Sequence, residues 1–291
     1  DDPYSTNALH RGYVDMMNSY RYIISYGTSI DAYGSPFDSV ANEAVRDGLV
    51  SLSSYGVVIW TCGEESTTDH TFENAEQSLL ESYLDSGGNL FVSGSEIGWD
   101  LDYKGNGPTF YNTYLKADYA GDDAGTYNVA PVSGSIYDGN AAFFFDDNTF
   151  GEYDANYPDQ LTPLGGAVAA LSYSGGSGGT AGLQYDGGLN RIVLFGFPFE
   201  TITSASARNE TMADILDFFG TSVPDPCEGA IEVDTFPYVD SNTTSGMPSR
   251  IDGYSCPPST GSEAGPEVVY RLTILQPGNL TVSLSDGAGV D

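Results

Sequence analysis

Residues 55–98, YGVVIWTCGEESTTDHTFENAEQSLLESYLDSGGNLFVSGSEIG, decide the fold. The run Tyr55-Gly56-Val57-Val58-Ile59-Trp60-Thr61 is continuously apolar, not alternating, which predicts a strand covered on both faces as in a parallel sheet. Phe72, Ala75, Leu79, Leu80, Tyr83 and Leu84 then fall on one helical face, and Gly87-Gly88 stands where a left-handed C-terminal cap belongs. Asn89 to Ser93 predicts a second strand. Strand, helix and strand with short connections predict a right-handed crossover, the unit of doubly wound sheets.

Outward from this unit, Leu9, Tyr13, Met16, Met17, Tyr20, Ile23 and Ile24 predict an amphipathic helix over 8–30, and a short strand is expected at Phe37 to Ala41. From Lys104 to Tyr185 the pattern dissolves into Gly, Asp, Asn and Tyr, with short strands expected at Ala142 to Phe145 and Ala181 to Tyr185. Arg191 to Phe197 predicts another buried strand, and Met212, Ile215, Leu216 and Phe219 predict a last helix over about 204–219, ending at Gly220. Val223-Pro224-Asp225-Pro226 reads as a linker, and the alternating runs Val268 to Ile274 and Leu280 to Leu284 read as strands of a sandwich. The expected organisation is an α/β domain over 1–220, a linker over 221–226 and a β-sandwich over 227–291.

Nine Lys plus Arg against 41 Asp plus Glu give a net charge of −32, a field that repels phosphate backbones and anionic headgroups. Nucleic acid and membrane insertion are therefore excluded as expectations, and no apolar run approaches the roughly 20 residues that span a bilayer. The start Asp1-Asp2-Pro3 shows no signal core, so an export signal is expected to be removed or not included. Cys227 and Cys256 can close a loop of about 30 residues, a disulfide expected of an exported protein, while Cys62 ends an apolar strand and reads as buried filler. An extracellular location follows as the expectation.

Three further stretches carry a resemblance. WTCGEESTTDHTFENAEQSLLESYLDSGGNLFVSGSEIGWDL at 60–101, FYNTYLKADYAGDDAGTY at 110–127 and VLFGFPFETI at 193–202 resemble a class I glutamine amidotransferase-like domain of secreted bacterial proteins often named N-acetylmuramoyl-L-alanine amidases. The resemblance implies a flavodoxin-like, doubly wound, mainly parallel sheet, but no activity, because sites and not folds carry function. The tail GPEVVYRLTILQPGNLTVSLSDGAGVD at 265–291 is similar to the bacterial pre-peptidase C-terminal domain, a small β-sandwich. In that family more strands follow Gly289-Val290-Asp291, so an incomplete sandwich is expected.

Ligand crevices of open α/β sheets lie beyond the carboxyl ends of the strands, here the loops after Thr61, Ser93 and Phe197. Ser95 takes the place of the amidotransferase nucleophile elbow, where that family has cysteine, and Gly196-Phe197-Pro198-Phe199-Glu200 matches the setting of its histidine without supplying one. His10 and His70 fall elsewhere, and a serine hydroxyl without a base is a poor nucleophile. Glu64, Glu65, Glu96 and Glu200 are the carboxyls from which a paired-carboxylate glycosidase could draw its acid and base, weighed against chance proximity among 41 acidic residues and a helix-capping role for Glu96. Asp122, Asp123, Asp146 and Asp147, with Asp154 and Asp159, offer hard oxygen ligands suited to Ca²⁺ without the spacing of an EF-hand. No cofactor is otherwise implied.

The leading expectation is thus a non-catalytic extracellular module serving structure, assembly or glycan binding. Its partners would be copies of itself, neighbouring domains, or cell-wall glycan met through some of its 21 tyrosines. A sandwich lacking a strand exposes an edge that β-strand addition could extend into a filament. The alternative is a hydrolase acting on peptidoglycan or polysaccharide through the crevice carboxylates.

Overall fold

The computed structural model describes residues 22–68, 70–221, 231–241, 268, 270–272 and 281–283. His10, Cys227, Cys256, the first half of the expected N-terminal helix and most of the two C-terminal runs lie outside the described residues. The chain divides into two compact units, Asp1–Thr221 and Ser222–Asp291.

In the first unit, α1 (Tyr22–Tyr33) and α2 (Asn42–Arg46) lead into β1 (Val57–Gly63), α3 (Asn74–Asp85) and β2 (Asn89–Gly94). Two π-helical turns, Trp99–Tyr103 and Phe110–Tyr114, precede β3 (Ala117–Gly121), β4 (Asn128–Pro131), β5 (Phe143–Phe144) and β6 (Gln160–Pro163). Then come β7 (Val168–Tyr173), β8 (Thr180–Asp186), β9 (Arg191–Phe195) and α4 (Ala205–Phe218). Nine strands form one sheet in the order β1-β2-β9-β8-β7-β4-β5, with β6 paired to both β8 and β3.

The register explains how one apolar run serves two faces. Side chains alternate across a strand, so Phe91 of β2 and Val193 and Phe195 of β9 join Tyr26 and Ile30 of α1 and Met212 and Ile215 of α4 in one core. Leu90, Val92, Ile192 and Leu194 point the other way, into a second core with Leu80 and Leu84 of α3. Phe91, Leu90 and Val92 are all fully buried, and burying each contributes on the order of 2 kcal/mol. The cap of α3 is equally local: the Gly87 and Gly88 amides donate to the Leu84 and Tyr83 carbonyls, with Gly87 at φ +94°. A Cβ on Gly88 would stand 2.1 Å from the Tyr83 ring, so only glycine fits.

The mainly parallel, flavodoxin-like sheet is corrected. β1-β2 and β2-β9 are parallel, but β9-β8, β8-β7, β7-β4, β4-β5, β8-β6 and β6-β3 are all antiparallel, so the sheet is mixed. The physical reason lies in 117–186, where no α-helix forms to make a crossover and the sequence neighbours β4-β5, β7-β8 and β8-β9 pair directly, β7-β8 through the glycine turn at Gly175-Gly176. The strand expected at Phe37 to Ala41 is absent; the segment pairs with no strand and runs into α2.

The β-sandwich expectation is corrected as well. In the second unit β10 (Ile231–Val233) pairs with β11 (Tyr270–Leu272) in parallel, whereas such sandwiches are built of antiparallel strands. The filament expectation rested on the unfinished edge of that sandwich and goes with it. The only cysteine described, Cys62, is buried and free.

Candidate functional site

The carboxyl ends of β1 and β2 carry the most chemically distinctive groups. At the end of β1, Gly63 turns the chain at φ +56°, the Glu65 amide donates to the Cys62 carbonyl, and Glu64 projects beyond the sheet. At the end of β2, Gly94 packs so closely that a Cβ there would stand 2.9 Å from the Cys62 Cβ. The Ser95 amide donates to the Gly63 carbonyl over 3.0 Å, which ties the two turns together and brings Glu96 beside Glu64.

Glu64, Ser66, Glu96, Trp99, Asp122, Asn156 and Tyr157 line one cleft of about 350 Å³. That volume suits a small ligand or one or two sugar rings. Glu64 accepts the Asn156 amide over 2.8 Å on Oε1, while its Oε2 is buried without a partner. Glu96 accepts the Ser66 hydroxyl over 2.8 Å. Burial pushes the Glu64 carboxyl up to about 8, opposed by the Asn156 amide and reinforced by Asp154, Glu200 and Glu96. Burial likewise pushes Glu96 to about 7, opposed by the Ser66 hydroxyl and reinforced by Asp122 and Asp100. Two neighbouring carboxyls that titrate near neutrality are matched to acid–base work.

Aromatic walls complete the cleft. Trp99 stacks on Tyr103 with centroids 4.6 Å apart, Lys104 Nζ lies 4.2 Å from the Trp99 ring, and Tyr119 packs behind them. Tyr157, which lines the same cleft, is exposed and holds φ at +53°, a strained value for a large side chain.

The remaining candidates sit elsewhere. Ser95 is fully buried with its hydroxyl unpartnered, so it does not stand exposed on its turn. Glu65 is buried. Glu200 is buried in the core, where Tyr26 and Tyr153 donate hydroxyls over 2.9 and 2.7 Å; burial nonetheless holds its carboxyl above the usual range. Asp146 is buried and organises its own loop, accepting the amides of Thr149, Phe150 and Glu152. Asp147 accepts the Thr149 amide and Asp123 the Gly125 amide, whereas Asp122 lines the cleft. Among the described residues no three His, Cys, Asp or Glu side chains gather as a metal-ligand set, and no helix is long and apolar enough to cross a membrane.

Sequence reasoning reached Glu64, Glu96 and Asp122, with Ser66 in the same strand-end motif as Glu64, but missed Trp99, Asn156 and Tyr157. Trp99 follows a strand end that was legible; Asn156 and Tyr157 come from the loop between β5 and β6, where nothing in the local pattern marks them.

No family model matches the chain, and no curated protein matches it. Among solved structures, the chain is similar to a β-galactosidase from Rahnella sp. R3, with 14% identity over 69% of this chain and 27% of that one at a TM-score of 0.46. It is similar to a β-galactosidase from Bacillus circulans sp. alkalophilus, with 12% identity over 70% and 28% at 0.46. It is also similar to a candidate GMP synthase protein from Thermoplasma acidophilum, with 13% identity over 71% and 92% at 0.45. The chain spans about a quarter of the length of the β-galactosidases. Likeness this distant carries no argument about activity. The resemblances to amidotransferase-like and pre-peptidase C-terminal families are corrected: no family model carries either of them, and the sheet is not the mainly parallel one the first implied.

Proposed function

We propose that the cleft is a glycan site and that the chain cleaves a glycosidic bond there, with Glu64 as the acid and Glu96 as the base or nucleophile. The observation that carries this reading is the presentation of two carboxyls from adjacent strand ends into one cleft walled by Trp99 and Tyr157. Glycoside cleavage needs only two placed carboxyl groups, one protonated and one ionised. Burial lifts both, Glu64 to about 8 and Glu96 to about 7, and the roles are assigned by surroundings: Glu64, the more deeply desolvated, is the acid, and the Ser66 hydroxyl supports the charged form of Glu96.

Aromatic faces suit the apolar C–H face of a sugar ring. A charge of −32 disfavours anionic polysaccharides, so a neutral glycan is the substrate class, met outside the cell. The non-catalytic reading lost its main ground with the amidotransferase resemblance, since the missing histidine mattered only to that chemistry.

The test is turnover of neutral oligosaccharides and nitrophenyl glycosides by the whole chain. Glu64→Gln and Glu96→Gln are each expected to lower kcat by about 10²-fold or more while the substrate still binds. Turnover untouched by both substitutions refutes the assignment. Saturable binding without turnover makes the cleft a binding site only.

A further inference from the structure

We infer that Asp159 is the positioning residue of the cleft, fastening the wall that carries Asn156 and Tyr157 to the turn that carries Glu96 and Trp99. The inference deepens the reading above and rests on it for its functional meaning, but the fastening itself can be measured without a substrate.

Asp159 is fully buried, and each of its polar groups but one reaches a different part of the cleft frame. Its Oδ2 accepts the Gly98 amide over 2.6 Å and the Trp99 amide over 3.2 Å, directly behind Glu96. Its own amide donates to the Ser95 carbonyl over 3.0 Å. Its carbonyl accepts the Tyr173 hydroxyl over 3.0 Å, and the same hydroxyl donates to the Gly196 carbonyl, so β7 and the end of β9 are drawn in.

Two glycines permit the approach. A Cβ on Gly98 would stand 3.0 Å from Asp159 Oδ2 and 2.5 Å from the Tyr111 hydroxyl, and a Cβ on Gly196 would stand 2.2 Å from the Asp159 carbonyl oxygen. A buried carboxyl is costly to desolvate, and this one sits two residues from a cleft-lining side chain, where an apolar residue would pack without that cost. What the carboxyl gains in return is the pair of amides, of Gly98 and Trp99, that its Oδ2 accepts at a helical start.

The charge environment links Asp159 to Glu96. Burial holds the Asp159 carboxyl well above the usual range, Glu96 and Asp122 push the same way, and the Gly98 and Trp99 amides pull it down. Tyr111, Tyr119 and Tyr173 also face it. Glu96 in turn is faced by Ser66, Asp100 and Asp122.

The test is amide hydrogen exchange together with ¹³C titration of the Glu96 carboxyl on the full chain, in the wild type, Asp159→Asn, Asp159→Leu and Gly98→Ala. The wild-type Gly98 and Trp99 amides are expected to exchange as slowly as the Val92 amide of β2, and Asp159→Asn, which keeps an acceptor, to preserve this. Asp159→Leu and Gly98→Ala are expected to speed exchange at those two amides about tenfold or more, the size of one or two lost buried hydrogen bonds, without moving Val92. In both, the Glu96 midpoint should fall toward the ordinary carboxylate range as water reaches the loosened turn.

Equal exchange in all four proteins, or wild-type Gly98 and Trp99 amides that exchange like open loop, overturns the inference. Should Asp159→Leu fail to fold, the wild-type and Gly98→Ala measurements still decide it. Slow amides in a chain that hydrolyses nothing would remove the proposed function and leave the fastening; fast amides in an active chain would do the reverse.

Discussion

Replacing Glu64 by Gln should make the protein more stable at pH 8 and leave it unchanged at pH 5. Folding lifts this carboxyl from its usual 4.5 to about 8, chiefly because the side chain leaves water. Protons therefore favour the fold: the contribution is complete below about pH 4.5 and is lost as the pH climbs through about 8. At roughly 1.4 kcal/mol per pH unit the limit is about 5 kcal/mol. Glu64 keeps one side toward the cleft and is coupled to Glu96 there, so about 2 kcal/mol is the working figure. Gln retains the acceptor for the Asn156 amide, so little else changes. In a domain of this size ~1 kcal/mol moves Tm by about 2–4 °C, which predicts a rise of about 4–8 °C at pH 8. Calorimetry on the wild type, Glu64→Gln and Glu210→Gln at both pH values reads it directly; Glu210 is an exposed carboxylate on α4 and controls for general relief of negative charge. A Tm at pH 8 no higher than that of the control would refute the reasoning, because the cleft carboxyl would then be ordinarily solvated.

Tyr153→Phe takes one of two hydroxyl donors from buried Glu200 and should cost about 1–3 kcal/mol in urea unfolding; an unchanged midpoint would mean that the Tyr26 bond suffices. Gly196→Ala forces a methyl within 2.2 Å of a main-chain oxygen that cannot swing away, so a loss of at least about 1–3 kcal/mol is expected in thermal melts, and a wild-type Tm would sink the packing argument. Cys62 is fully buried and burial raises its thiol further, so peptide-mapped alkylation at pH 8 should leave it unmodified until denaturant is added. Labelling of the native protein at Cys62 would show that the β1 end opens.

The parallel trio was legible because its code is local and redundant. The runs around Val57, Asn89 and Arg191 are apolar without interruption, and the helices beside them repeat every three or four residues, so β1, α3, β2, β9 and α4 stand within a few residues of their expected places. The antiparallel arm was not, since β3, β4, β6 and β7 are four to six residues long, half-exposed and separated by glycines with positive φ. Their pairing is decided by partners distant in sequence, such as Val129 with Tyr173, and not by any pattern within each strand. The cleft divides the same way. Glu64 and Glu96 follow from the rule that crevices open beyond parallel strand ends, whereas Asn156 and Tyr157 arrive through a loop whose course only the folded sheet determines. Asp159 was visible as an oxygen donor, but its three-way attachment depends on contacts with Gly98, Ser95 and Tyr173 that sequence spacing does not encode.

The mixed sheet also separates what the protein can vary from what it must keep. Glu64 and Glu96 follow directly on β1 and β2, strands packed between two cores where almost any change of volume is felt, while Asp122, Asn156 and Tyr157 stand on loops of the antiparallel arm. A lineage, or an engineer, can therefore vary Asp122, Asn156 and Tyr157 to admit a different ligand without redrawing the pair of acids, while Ala124, Tyr153 and Ala155 of the same loops stay fixed in the core. The boundary of that freedom is a single carboxyl, Asp159, beyond which the replaceable wall becomes part of the frame.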